Sequence, residues 1–216
     1  MNSKIDKLRG VYAITDPYLT PNDKVEQMVE EALKGGAQII QLRDKEASDE
    51  SLFPIAVALQ KLCSDYQAVF FINDRVDLAI QVKADGVHVG FHDEAVNSVR
   101  LKVGNEMLIG VSCYGDIERA KNAIQQGADY VAFGAFFPSK TKPKAAVVPM
   151  EVIKEAKETL DVPVCIIGGI NEANIDEFDT YSPDMYAMVS DIFESENIQQ
   201  KVEKLKSKIK NSTLAH

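Results

Sequence analysis

The chain carries only three cysteines and three histidines in 216 residues. Cys63, Cys113 and Cys165 are odd in number, widely spaced and without a CxxC pair. That excludes a disulfide framework and a cysteine zinc site, and it suits reduced thiols packed as small apolar filler. His92 and His216 show no metal-ligand spacing, and His88, flanked by valines, reads as a hydrogen-bonded core histidine. No apolar run approaches the ~20 residues that span a bilayer. Met1 to Lys7 lacks the apolar segment of a secretory signal, so the expectation is a cytoplasmic protein. No GxGxxG follows the first apolar run, which leaves a dinucleotide-binding fold without support. Cations are outnumbered by acids, giving a net charge of −9. Such a surface disfavours nucleic acid and anionic membrane as partners, but a few clustered cations can still bind a phosphorylated small molecule. The lysines between Lys201 and Lys210 alternate with Val202, Leu205 and Ile209 at helical spacing, so they form the solvated face of an amphipathic helix.

What is present is a repeat of short β-rich apolar runs and longer helix-period segments. The runs predict strands at Val11–Thr15, Gln38–Leu42, Val69–Asn73, Gly86–Val89, Leu108–Ser112, Tyr130–Phe133, Val164–Ile167 and Met185–Val189. Helical segments between them include Lys24–Lys34, Ile117–Gln126 and Met150–Leu160. Near-continuous apolar strands joined by helices make a parallel sheet, and eight such units predict one α/β domain, a (β/α)8 TIM barrel over residues 1–216. Gly35-Gly36-Ala37 and Gly127-Ala128-Asp129 repeat one helix-to-strand junction, with glycine stopping the helix.

Barrel active sites lie at the C-terminal ends of the strands. Polar residues gather at those ends here, from Gln41 at the end of the second strand to Ser190 at the end of the eighth. In Gln41-Leu42-Arg43-Asp44-Lys45 the alternation puts Gln41, Arg43 and Lys45 on one side. An arginine fork plus a lysine suits a diphosphate, though a surface ion-pair cluster with Asp44 and Glu46 is the alternative. Asn73, Asp74 and Asp93 offer an amide and two carboxylates, a set that suits Mg2+ completed by water and substrate phosphate. The alternative for Asn73 or Asp74 is a helix N-cap. The loop Pro138-Ser139-Lys140-Thr141-Lys142 alternates hydroxyls with lysines and can bind a phosphate or simply be an exposed polar loop. Gly168-Gly169 permits close backbone approach, and amides there and after the eighth strand can hold phosphate.

Taken in order, Tyr12 to Asp16, Gln41 to Lys45, Phe71 to Arg75, Asp85 to Gly90, Gly110 to Ser112, Pro138 to Lys142, Gly168 to Ile170 and Val189-Ser190 resemble the thiamine-phosphate synthase family along essentially the whole chain. The resemblance implies a Mg2+-dependent transferase that joins a hydroxymethylpyrimidine diphosphate to a hydroxyethylthiazole phosphate and releases pyrophosphate. By motif position it implies that Gln41, Leu42, Arg43, Asp44, Lys45, Asn73, Ser112 and Lys142 hold the pyrimidine diphosphate. Asp74 and Asp93 would hold the metal; Ser139, Lys140, Thr141, Gly169, Val189 and Ser190 would hold the thiazole phosphate. Ser112, Lys142, Arg43 and Lys45 would carry the catalysis, with small phosphorylated substrates as partners and a homo-oligomer left open. Two positions depart from the family pattern. Phe91 stands where a glutamine usually follows His-x-Gly, and Tyr114 stands where a histidine often follows the strand-5 serine. The missing histidine weighs against a thiazole tautomerase on the same barrel, because moving a proton from carbon to nitrogen needs a group that titrates near neutrality.

Overall fold

The computed structural model describes residues 4–90, 95–138 and 147–209. Eight parallel strands close into one barrel in sequence order: β1 Gly10–Ile14, β2 Ile39–Leu42, β3 Val69–Asn73, β4 Gly86–Val89, β5 Leu108–Tyr114, β6 Tyr130–Phe133, β7 Val164–Ile167 and β8 Met185–Met188. The last strand pairs with the first, Tyr12 opposite Ala187, so no strand edge is left open. The helices are α1 Val25–Lys34, α2 Asp49–Asp65, α3 Val76–Gln81, α4 Val96–Val103, α5 Ile117–Gln125, α6 Glu151–Thr159, α7 Ser190–Phe193 and α8 Ile198–Lys208. Where local chemistry marks a start, it is the expected one: the Ser48, Asp116 and Asn197 side chains accept the amide protons of Ser51, Arg119 and Gln200. In α8, Val202 and Leu205 are fully buried, as the tail pattern predicts.

Two expectations need correction. The connection from β7 to β8 contains only a 3-10 turn, Ile175–Phe178, where a helix was expected. The Asn174 side chain folds back on Gly169 and Asn171, and the turn needs only Ile175 and Phe178 to cover this side of the barrel. Strand β5 runs two residues past Ser112, because a bulge between Ser112 and Tyr114 lets the ladder continue on β6.

Alternation along each strand divides the apolar side chains into two cores. One lies between barrel and helices; the other fills the barrel and includes Tyr12, Ile39, Phe71, Leu108, Tyr130 and Met185. Fully burying one such side chain contributes roughly 1.5–3 kcal/mol. Three interior rings, Tyr12, Phe71 and Tyr130, pack edge-on or tilted with centroids 5.4–6.4 Å apart. Glycines on the adjoining strands make room for them. A Cβ at Gly86 would lie 2.2 Å from the Phe71 ring, and one at Gly110 would lie 2.1 Å from that of Tyr130.

The N-terminal end of the barrel is tied by a fourfold repeat. The residue just before each even strand accepts a backbone N–H near the start of the preceding odd strand. Gln38 accepts from Val11, Asp85 from Phe70, Asp129 from Ile109 and Asp184 from Val164, at 2.7–3.1 Å. The three carboxylates each also meet a cation: Lys4 at 2.8 Å, Arg100 at 2.5 Å and Lys157 at 2.7 Å respectively. All three cysteines are buried and free, and burial pushes the Cys113 thiol up to about 12. They are apolar filler. Among the described residues no helix is long and apolar enough to cross a membrane.

Candidate active site

At the opposite end of the barrel, β2 delivers its residues by strict alternation. Gln41 points inward and is almost fully buried, Leu42 packs outward against the helices, and Arg43 returns to the rim. Leu42 can therefore reach a ligand only through its backbone. The Arg43 amide donates to the buried Thr15 hydroxyl at 2.9 Å, and its guanidinium stands 3.9 Å from Asp16. That separation leaves the planar fork loosely held and able to turn to a better anion. The Asp44 carboxylate accepts the amide protons of Glu46 and Ala47, so it shapes the loop that carries Lys45. Arg75 holds the same loop from β3's side, donating to the Asp44 and Ala47 carbonyls at 2.9 and 2.6 Å and to the Asp49 carboxylate.

Asp74 follows β3 with φ +60, a left-handed conformation that Asp and Asn tolerate better than other non-glycine residues. Its amide donates to the His88 carbonyl at 2.8 Å. Its carboxylate meets the Lys45 ammonium at 2.8 Å. The capping alternative is not what the residues do: α3 has Arg75 at its N-cap position and no side-chain cap. Instead Asn73 is buried at the rim and Asp74 faces a cation. Among the described residues no cluster of three or more His, Cys, Asp or Glu could cage a metal. A carboxylate already attracting an ammonium fits a hard cation that takes its other oxygens from water and phosphate.

Ser112 ends the inward-facing series of β5, and its hydroxyl lies 2.9 Å from His88 Nε2. His88 Nδ1 lies 2.7 Å from the Tyr130 hydroxyl, which lies 3.0 Å from that of Tyr12. Gln41 Nε2 donates to Tyr12 at 2.5 Å. Burial pushes both tyrosine hydroxyls up, so each keeps its proton. Beyond the bulge, Tyr114 is exposed at φ +57 with the Arg119 guanidinium 5.3 Å from its ring centre.

Across the barrel, Gly168 and Gly169 have φ +101 and +67. A Cβ on Gly169 would come within 2.8 Å of the Phe137 and Pro138 carbonyl oxygens, so the turn after β7 lies directly against the chain leaving β6. Val189 joins β8 to the single turn of α7, which Ser190 begins. Asp93, Ser139, Lys140, Thr141 and Lys142, with Phe91, His92 and His216, lie outside the described residues.

A family model described as thiamine monophosphate synthase matches residues 11–192. The chain belongs to the thiamine monophosphate synthase family. It is 43% identical over 197 residues to the thiamine-phosphate synthase of Halorhodospira halophila, covering 91% of this chain and 92% of that one. To the thiamine-phosphate synthase of Wolinella succinogenes it is 42% identical over 189 residues, covering 87% of this chain and 86% of the other. Among solved structures, thiamine phosphate pyrophosphorylase from Pyrococcus furiosus is 34% identical, with a TM-score of 0.85 over 94% of this chain and 96% of that one.

In this member of the thiamine monophosphate synthase family, Arg75, Thr15 and Tyr12 lie within the stretches that carry the resemblance, but the sequence assigns none of them a role, and Tyr130 lies outside those stretches. Arg75 ends one of the stretches and follows two site candidates, which is a usable signal. The tyrosine pair joins positions 118 residues apart and leaves none.

Proposed function

We propose that this chain joins a hydroxymethylpyrimidine diphosphate to a hydroxyethylthiazole phosphate, forming thiamine phosphate and releasing pyrophosphate. The observation that carries the reading is the gathering of Arg43, Lys45, Asn73, Asp74 and Ser112 at one end of the barrel, with Gln41 buried just beneath, in a chain 43% identical to a thiamine-phosphate synthase. The bond between the pyrimidine methylene carbon and the diphosphate oxygen breaks, and its electron pair leaves with pyrophosphate. The thiazole nitrogen lone pair then forms the new bond to that carbon. No proton is lost, so no general base is required, in keeping with a rim that offers cations and hydroxyls.

Arg43, Lys45 and Lys142 hold the diphosphate, and Ser112 donates a hydrogen bond where charge builds as the bond breaks. Asp74 and Asp93 would hold Mg2+, which when bound neutralises charge on the departing pyrophosphate. Lys45 exchanges its Asp74 partner for the diphosphate. Ser139, Thr141 and the backbone at Gly169, Val189 and Ser190 hold the thiazole phosphate, with Lys140 adding charge. That leaves the ring nitrogen facing the methylene carbon, where positioning does much of the work.

The test is incubation with both phosphorylated substrates and Mg2+, followed by product mass and pyrophosphate release. The reading predicts one product with the mass of thiamine phosphate and one pyrophosphate per product. Rapid tautomerisation of an unrearranged thiazole without coupling would replace it.

A further inference from the structure

The barrel interior holds a chain of polar side chains drawn from five strands, in the order Gln41, Tyr12, Tyr130, His88, Ser112. Both tyrosines are buried, so each hydroxyl must find its partners within the chain. A hydroxyl donates one proton, and a neutral imidazole donates from one nitrogen and accepts at the other. These rules couple every member. With Gln41 Nε2 donating to Tyr12, Tyr12 donates to Tyr130 and Tyr130 donates to His88 Nδ1. His88 then carries its proton on Nε2 and donates it to Ser112. The Ser112 hydroxyl, its oxygen occupied, turns its own proton away from the barrel interior.

The opposite sense would require the Gln41 amide to turn over, and Ser112 would then point its proton back at His88. An anion at Ser112 can only accept, so a diphosphate there selects the first sense. We propose that His88 and Tyr130 are positioning residues for the reaction: they orient the Ser112 hydroxyl as a donor to the diphosphate, through a hydrogen-bonded chain anchored at Gln41. This rests on the function proposed above. It adds that two residues beneath the rim, Tyr130 buried and His88 half-buried, act through Ser112.

Tyr130→Phe keeps the ring that Gly110 accommodates and removes only the hydroxyl. It should lower kcat by roughly three- to tenfold, the size of one neutral hydrogen bond, with little change in KM. In a Ser112→Ala background the same substitution should have no further effect, because its target is gone. Equal losses in both backgrounds would mean a merely structural role and overturn the proposal. Independently, 15N NMR of the His88 ring in wild-type protein with Mg2+ and pyrophosphate should find the proton on Nε2. A proton on Nδ1, or on both nitrogens, would also overturn it. The NMR result does not depend on turnover, so failure of the coupling assay and failure of this inference are separable.

Discussion

The two ends of the barrel use the same residue types for opposite purposes. At the N-terminal end, Asp85, Asp129 and Asp184 each accept a backbone N–H from the preceding strand and face a cation within 2.8 Å. Each of these three charges is answered within the chain, and the geometry repeats from one strand pair to the next. At the C-terminal end the pairs are irregular. Arg43 stands 3.9 Å from Asp16, and the Lys45–Asp74 pair has the lysine side chain more than half exposed. A carboxylate that closes a hydrogen bond across the strand ladder stabilises the fold, whereas the Asp74 carboxylate faces an ammonium that is more than half exposed and can be drawn to a ligand. The difference is one of partners, not of residue type.

The comparison breaks most readily on the metal. If Asp74 and Asp93 hold Mg2+ against a departing pyrophosphate, excess chelator should reduce coupling by roughly a hundredfold or more, and added Mg2+ should restore it. Full activity in chelator would remove the carboxylates from the chemistry. A smaller effect is expected at Ser112. One hydrogen bond to a charged group is worth ~1.5–3 kcal/mol, so Ser112→Ala should slow turnover by roughly one to two orders of magnitude. The melting temperature should stay near wild type, and an unchanged rate in a chemistry-limited assay would exclude the hydroxyl from the mechanism.

How legible was this in the sequence? Strands β3, β4, β6 and β7 have the predicted bounds, because short runs such as Val69–Asn73 sit between glycine, proline or polar breaks that leave little freedom. The rim positions of β2 follow from alternation alone. The fourfold clamp was half visible, since Asp129 and Gln38 each follow the repeated Gly-Ala junction, but their role depends on which amide lies across the ladder. The Gln41-to-Ser112 chain was not visible. His88 reads as a hydrogen-bonded core residue; it is hydrogen-bonded but only half-buried, and its partner Ser112 is itself a site candidate. Only barrel closure brings Tyr12 on β1 to Tyr130 on β6, and a chain linear in sequence carries no mark of that contact.

If function sits at one end of the barrel and stability at the other, paired substitutions will separate the two. Asp74→Asn suits the left-handed backbone at that position and removes only the charge; Asp184→Ala leaves the Val164 amide without its acceptor and Lys157 without its partner. The measurement is kcat/KM and melting temperature for both variants side by side. Asp74→Asn should lose most of its coupling activity while melting as wild type does. Asp184→Ala should keep kcat/KM but lose about 2 kcal/mol of stability, a fall of roughly 4–8 °C for a chain of this size. If Asp184→Ala lost activity without melting earlier, or Asp74→Asn melted early and kept its activity, the division between the two ends would be wrong.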